Sequence, residues 1–473
     1  MAVERKAVER KGVDSRVVAA LRRVVGGERC RTDRESRICY SYDATQQRAL
    51  PDVVVTPKTA EEISAVMKLA YEHLVPVYPR GAGSGLTGGA VPVRGGLVLD
   101  LGSMNRILEI NQKGFYAWVE PGVVLQDLQG AVEALGLFYP PDPASGDVAT
   151  IGGTVAECAG GLRCVKYGVT RDYVLALEVV LPTGEIIHTG SVAMKSVTGY
   201  DLTRLFVGSE GTLGVFTKIA VRLIPKPEAV ETVLAVFPDL ESAVEVTDRV
   251  LQSRIVPRTL ELIDEHCLRA VQAYAPSDAL PGSGVVVLAE VDGPAGTLAG
   301  PRETIVELCK RGGATTVKWS ADADEREVLW SLRRSISPAI YAICVKKINE
   351  DICVPRSRLL ETFRRVDAIG ERHGLTIARF GHAGDGNVHV NVLLKDTEPE
   401  TLERAERAVE EVFRAVIEVG GTLTGEHGIG NTKSAYLHLE CGPREIELMR
   451  QLKRLFDPKG LLNPGKIFPG GGV

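Results

Sequence analysis

The sequence predicts an α+β protein of two domains, and three observations carry that reading. From about residue 50 to 224, short runs rich in Val, Ile and Leu alternate with helical patterns. Pro225 and Pro227 then punctuate a linker, after which a second series of strand and helix patterns begins. Glycine is in excess, 50 of 473 residues against about 7% in an average protein, and it clusters at 81–96, 152–161, 208–214, 381–386 and 420–430. Glycine lets backbone approach a ligand, so these clusters map the candidate site loops.

Taken in order, residues 1–48 read as an N-terminal helical arm, with the charged duplication VERKAVERK as a solvated helix. In 49–226, DVVVT at 52–56, VPVYP at 75–79, GGLVLDLG at 95–102 and ALEVVLPTGEIIHTG at 176–190 read as strands. TAEEISAVMKLAYEH is a helix, with Thr59 as N-cap, Glu62 completing a capping box, and Ile63, Val66 and Met67 on its core face. In 227–425, VETVLAVFP, GVVVLAEVDG and TTVKWS read as strands around helices at DLESAVEVTDRVLQ and 300–311. Helices near 356–373 and 398–418 flank TIARFGHAG and NVHVNVLL. The last segment, 426–473, carries the amphipathic helix PREIELMRQLKRLF, stopped by Pro458 and Gly460.

Lys and Arg total 56 and Asp and Glu 61, a net charge of -5, so no basic field suited to a phosphate backbone dominates the chain. Nucleic acid is excluded as the expected partner. The nine cysteines form no C-x-x-C pair, so neither a disulfide framework nor an iron–sulfur site is spelled out. No apolar run reaches the ~18 residues that span a bilayer, and the first residues lack the apolar core of a signal peptide. The expected compartment is the cytoplasm, with a partner complex as the route to any membrane association.

PRGAGSGLTGGA at 79–90 satisfies the dinucleotide pattern G-x-G-x-x-G at Gly83, Gly85 and Gly88, with Asp100 at the distance of a ribose-binding carboxylate. The context fails, because only AVPVR separates the loop from the next strand, too little for a crossover helix. Gly81, Gly83 and Gly85 still suit a nest of backbone N–H groups around a diphosphate.

Further on, Asp385-Gly386 between two strand-like runs signals a two-residue hairpin turn. That register sets His382 opposite His389, close enough for two imidazoles to share a divalent ion, and strand alternation puts Asn391 on the same face. A hydrogen-bonded histidine pair is the alternative. TGEHGIG adds Glu426 and His427 between glycines, and two His plus one carboxylate form a ligand set that leaves positions free for substrate. Zinc is the first choice, with manganese or iron(II) also compatible. REVLWSLRRSISPAIYA is a helical pattern carrying Trp330, Arg333 and Arg334, and a guanidinium fork suits a carboxylate. Lys346, Lys347, Glu350 and Asp351 follow as unranked pocket candidates.

The 79–90 loop, PPDPAS at 140–145, TIGGTVAECAGG at 150–161, KYG at 166–168 and TGYDLTRLFVGSEGTLGVFTKIAVRLIPKP at 198–227 together resemble the FAD-linked oxidases of the vanillyl-alcohol oxidase type. RFGHAGDGNVHVNV, TGEHGIG and FDPKGLLNPGKIF resemble the group of glycolate oxidase GlcD subunits, D-lactate dehydrogenases and D-2-hydroxyglutarate dehydrogenases. The resemblance implies a two-subdomain FAD-binding domain at 49–226, a ferredoxin-like α+β substrate domain at 227–425 bearing the hairpin, and a C-terminal helical segment at 426–473 that returns to the FAD domain.

It also implies FAD on Arg80, Gly81, Ala82, Gly83, Ser84, Gly85, Thr87 and Gly88, lined by Pro141, Asp142, Gly152, Gly153, Cys158, Gly161 and Gly168. Glu210, Gly211, Gly214 and Val215 would take the adenosine end, and Asn463 would add a contact from the C-terminal segment. No His or Cys stands at 80–90 for a covalent link, so FAD is expected to bind non-covalently. Cys158 stands where relatives commonly carry Asn, and a thiol is the poorer hydrogen-bonder.

In that group's pattern His382, His389 and Glu426 hold the metal, His427 is the base, Arg333 clamps the substrate carboxylate and Asn391 reaches the substrate. The implied reaction is oxidation of a small 2-hydroxy acid, glycolate or D-lactate, to the 2-oxo acid, with electrons passed to an iron–sulfur subunit or an electron-transfer flavoprotein. A homodimer is left open. The rivals are a non-catalytic FAD-binding electron-transfer subunit, a metal-dependent hydrolase and a nicotinamide dehydrogenase.

Overall fold

The computed structural model describes residues 12–45, 47–276 and 282–469, so the VERK duplication lies outside the described residues. Three main sheets organise them. The first has the order Cys30–Arg31, Val53–Val55, Leu97–Asp100, Val77–Arg80, and its last three strands run parallel. No helix lies between Arg80 and Leu97, so the glycine loop is not the opening of a dinucleotide-binding βαβ unit.

The described part of the N-terminal helical arm packs on the first sheet. Helix Ser15–Val25 buries Val17, Leu21 and Val25 in one core with Val66, Met67, Leu97 and Leu99, and Cys30–Arg31 pairs antiparallel with Val53–Val55. The apolar spacing V-x-x-x-L-x-x-x-V gave that helix a core face. Helix Ala60–His73 buries Ile63, Val66 and Met67 as expected, and the Thr59 hydroxyl accepts the Glu62 N–H. The reciprocal half of the capping box is absent: Glu62 accepts instead from the Lys58 N–H and the Arg29 guanidinium.

An antiparallel five-stranded sheet follows, in the order Ile107–Asn111, Tyr116–Val119, Val215–Arg222, Val174–Val180, Ile186–Gly190. The substrate-domain stretch forms a larger sheet than the four strands of a ferredoxin-like unit. Its seven strands are all antiparallel, in the order Thr316–Ser320, Ala229–Phe237, Val285–Gly293, Thr259–Ile263, Thr376–His382, Asn387–Leu394, Lys346–Cys353. Helices cover both faces, one layer around Phe237, Phe363 and Phe413 and the other around Trp330, Ile336 and Phe380.

The C-terminal segment runs back to the first sheet, where Leu462 bridges parallel to Val77. The buried Lys453 ammonium fixes that return, donating to Asp457, to the Thr212 carbonyl and to the Leu462 carbonyl.

Candidate functional site

Arg80 ends its strand buried, with Nη1 donating to the Tyr42 carbonyl at 2.6 Å. The chain then turns over Thr150: a Cβ on Gly81 would lie 2.2 Å from the Thr150 Oγ1, so only glycine passes there. Among the described residues the backbone N–H groups of Gly81 to Gly85 donate to no protein acceptor, and nothing lies within 4 Å of a Cβ built on Gly85. Ala82, Gly83, Ser84 and Gly85 therefore offer a side-chain-poor cradle of unused donors, which fits a diphosphate. Thr87 and Gly88 are buried against the C-terminal segment, where the Thr87 hydroxyl donates to the His427 carbonyl at 3.2 Å.

Gly152 and Gly153 stand at the start of helix Ile151–Glu157, whose Thr150 cap accepts the Gly153 N–H. Cys158 closes that helix in the left-handed region at φ +54°, a conformation asparagine tolerates better than most residues. Pro141 is buried beside Asp142, which bridges to Gly161 and pairs with Arg163 at 3.1 Å. Gly161 has φ +128° and would place a Cβ 2.1 Å from the Asp142 carbonyl, so no other residue fits. Gly168 caps the next short helix.

The residues assigned to the adenosine end run from Glu210 to Val215. The Glu210 side chain accepts the N–H groups of Ile429 and Gly430, and Gly211 follows it in the same tight turn. Val215 lies in the core, and Gly214 packs on Val179 and Phe206. Asn463 donates to the carbonyls of Gly89 and Glu210.

The hairpin register differs from the expected one. His382 pairs with Asn387 and Phe380 with His389, because Gly384 leaves the ladder to donate to the Leu260 carbonyl and Gly386 donates back to the His382 carbonyl at 2.9 Å. The turn is four residues, not two. The shift is an even one, so His382 and His389 keep the same face, with ring centroids 5.4 Å apart. One ligand atom each from His382, His389 and Glu426 lie within 4.8 Å of one another. Glu426 Oε1 stands 3.7 Å from His382 Nε2 and 3.4 Å from His389 Nε2. Gly160 backs the cluster: a Cβ there would meet Glu426 Oε2 at 3.0 Å.

This donor set is poised for a cation. Burial, helped by its cationic neighbours, holds His389 down to about 3, so it offers a neutral lone pair. Burial opposes charge on Glu426, yet the three imidazoles outweigh it and hold the carboxyl at about 2. Burial likewise opposes charge on His382, but Glu261 and Glu426 raise it well above the usual imidazole range. A proton and a metal ion compete for its Nε2.

Glu261 is the residue the sequence reading missed. Fully buried, it takes the His382 Nδ1 on Oε1 at 2.5 Å and the Arg333 Nε on Oε2 at 2.7 Å. Burial works against its charge, and His382 and Arg333 overcome that to hold it at about 2. Its signal was a lone carboxylate in the apolar strand TLELI. Arg333 also lies over the Phe380 ring at 4.5 Å, and the described hydrogen bonds engage neither of its terminal nitrogens.

Asn391 is fully buried and commits its amide to the carbonyls of Ala378 and His389 and to Asn349. The sheet interior, not the open side of the cluster, holds its polar atoms.

His427 stacks on His389 at 5.4 Å and 22°, with Nε2 3.8 Å from Glu426 Oε1. Its Nδ1 faces Asp351 Oδ1 at 3.3 Å. Of the unranked candidates Asp351 emerges as central. Fully buried, it accepts the N–H groups of Gly425, Glu426 and His427, the Thr424 hydroxyl and the Lys433 ammonium. Burial opposes its ionisation, and His427 and Lys433 hold its carboxyl well below the usual range nonetheless. Lys346, Lys347 and Glu350 lie on the same strand, and the Lys347 ammonium donates to the Ser337 hydroxyl at 3.0 Å.

Known proteins share this architecture. A family model described as "FAD binding domain" matches residues 51–190, and one described as "FAD linked oxidases, C-terminal domain" matches 226–467. Similar curated proteins include glycolate oxidase subunit GlcD of Bacillus subtilis (strain 168), 44% identical across 94% of this chain and 95% of that one. D-lactate dehydrogenase of Anaerostipes hadrus is 35% identical across 95% of each. Glycolate oxidase subunit GlcD of Escherichia coli (strain K12) is 37% identical across 96% of this chain and 91% of that one. Among solved structures, p-cresol methylhydroxylase with substrate bound superposes with a TM-score of 0.81 at 20% identity, covering 97% of this chain and 98% of that one.

Proposed function

The chain belongs to the FAD-linked oxidases of the vanillyl-alcohol oxidase type, and on that premise we propose that it oxidises a small 2-hydroxy acid, glycolate or D-lactate, to the 2-oxo acid. One observation carries this reading. The side chains of His382, His389, Glu426, His427 and Arg333 meet in one cluster beside Gly160, in the segment assigned to the FAD. The relatives named as glycolate oxidase subunits and D-lactate dehydrogenase act on substrates of this class.

The 80–88 loop, with 141–142, 152–153 and 158–168 along it, would hold FAD non-covalently, and the flavin would supply the two-electron acceptor for hydride. A divalent ion on His382, His389 and Glu426, zinc by preference with manganese and iron(II) as alternatives, would supply Lewis acidity toward the hydroxyl and carboxylate oxygens. Arg333 binds the substrate carboxylate through its terminal nitrogens while Glu261 holds its Nε, which fixes the plane of the guanidinium fork. His427 accepts the hydroxyl proton at Nε2, because Nδ1 faces Asp351 and that carboxylate stabilises the imidazolium formed. His382, His389 and Arg333 are buried and Glu426 and His427 half-buried, which limits the bulk water around a bound substrate.

The electrons must leave by a partner. Among the described residues the one His, Cys and carboxylate group with metal-ligand spacing is His382, His389 and Glu426, so no iron–sulfur relay is built from them. An iron–sulfur subunit or an electron-transfer flavoprotein fits that need, and the word "subunit" in the relatives' names supports it. The described residues contain no helix long and apolar enough to cross a membrane, and membrane association through such a complex is part of the same proposal.

The test is product analysis. Metal-loaded holoprotein supplied with glycolate or D-lactate and an artificial acceptor dye should form 2-oxo acid in one-to-one proportion with dye reduced. Absence of oxo acid with both substrates would contradict the reading.

A further inference from the structure

His427 sits on a loop that carries two further sets of bonds, and these come from opposite halves of the molecule. Asp351, on strand Lys346–Cys353 of the seven-stranded sheet, accepts the N–H groups of Gly425, Glu426 and His427 at 2.9, 2.7 and 3.1 Å. Glu210, in the turn that leads into strand Val215–Arg222 of the five-stranded sheet, accepts the next N–H groups, Ile429 at 2.8 Å on Oε1 and Gly430 at 2.6 Å on Oε2. Five of six consecutive backbone donors thus end on two buried carboxylates. Between the two sets stands Gly428, where a Cβ would lie 2.5 Å from Glu157 Oε2 and 3.0 Å from Glu210 Oε1.

Glu210 is an unusual residue for its place. It is 6% exposed and has φ +51°, the left-handed region that residues with side chains other than Asn and Asp rarely adopt. Its own N–H donates to the Ala156 carbonyl and its carbonyl accepts from Asn463, so the backbone is pinned while the carboxylate points at the loop. Strain of this kind persists where the surroundings over-determine it, and it clusters at functional sites.

We propose that Glu210 is a positioning residue for His427, acting with Asp351 to hang the 425–430 loop between the two sheets. The inference rests on His427 being the base. Asp351 fixes the loop relative to the metal ligands; Glu210 fixes it relative to the flavin half. Proton transfer and hydride transfer need their groups in register, and a misplacement near 1 Å costs on the order of 100-fold in rate.

The experiment uses FAD- and metal-loaded protein, wild type against Glu210→Gln and Glu210→Ala. A glutamine keeps one acceptor oxygen and turns its amide toward the second N–H, whereas alanine removes both. Deuterium exchange at 425–432 should quicken in the order wild type, Gln, Ala. In anaerobic stopped-flow mixing, the limiting rate of flavin reduction should fall at least ~10-fold in Glu210→Gln, with the half-saturating substrate concentration within about 2-fold of wild type and FAD content unchanged. Loss of FAD from Glu210→Gln would overturn the proposal and place the residue in the cofactor site. Wild-type exchange and wild-type reduction would overturn it too. Failure of wild-type protein to be reduced by any hydroxy acid would instead refute the functional reading, and the exchange pattern would still decide whether Glu210 holds the loop.

Discussion

At the scale of single residues, the proposed metal site depends on a carboxylate outside its own ligand set. Glu261 orients His382 through Nδ1 and Arg333 through Nε, and outer partners of metal-bound histidines are generally worth 10–100-fold in affinity. Glu261→Gln should therefore weaken zinc or manganese binding by roughly that factor in a calorimetric titration, with FAD content unchanged. Unaltered metal affinity would show that His382 needs no such partner. The proposed ligand cluster was legible because histidine is scarce, eight in the chain, and three fall in HAGDGNVH and EHG. Glu261 was not, since its partners lie 72 and 121 residues away in sequence and no local pattern joins TLELI to either. Asn391 shows the opposite failure: strand alternation gave its face correctly, but no spacing rule reveals that neighbouring carbonyls already hold its amide.

At the scale of elements, the hairpin shows why a wrong turn can leave a site intact. Asp385-Gly386 favours a two-residue loop locally, yet contacts to Leu260 and Val354 in neighbouring segments draw four residues out of the ladder. A slip of one residue would have sent His389 to the other face, but the observed shift is even and preserves it. Gly386 is the constraint: it has φ +89°, and a Cβ would lie 2.0 Å from the Val354 carbonyl. Gly386→Ala should lower stability by at least ~2 kcal/mol and weaken metal binding with it, as read by urea unfolding and metal titration. A variant of wild-type stability would contradict the four-residue turn. The helix Ala60–His73 was readable from its cap and apolar face alone, whereas Glu62 left its box for a distant arginine that local sequence could not place.

At the scale of the whole molecule, the site exists because distant stretches of chain converge on it. The glycine loop, the 158–168 segment, the seven-stranded sheet and the 424–432 loop each contribute, and periodicity could read each stretch but not their meeting. That came from resemblance in motif order. The C-terminal return is held by Lys453, whose side chain is 4% exposed and pairs at 2.5 Å with the fully buried Asp457. Lys453→Met would strand that carboxylate, so it should cost about 3–5 kcal/mol and release FAD at lower temperature, measured by flavin fluorescence on heating. An unchanged release temperature would show that the return does not secure the cofactor half. In the proposed chemistry a hydroxy acid delivers hydride to the flavin while His427 takes its proton. It is tested most directly by an anaerobic visible spectrum of metal-loaded protein titrated with glycolate and with D-lactate. One of them should bleach the flavin band in wild type and not in His427→Ala at equal FAD content; a yellow protein that neither acid reduces, or a His427→Ala variant reduced as fast as wild type, would refute this chemistry.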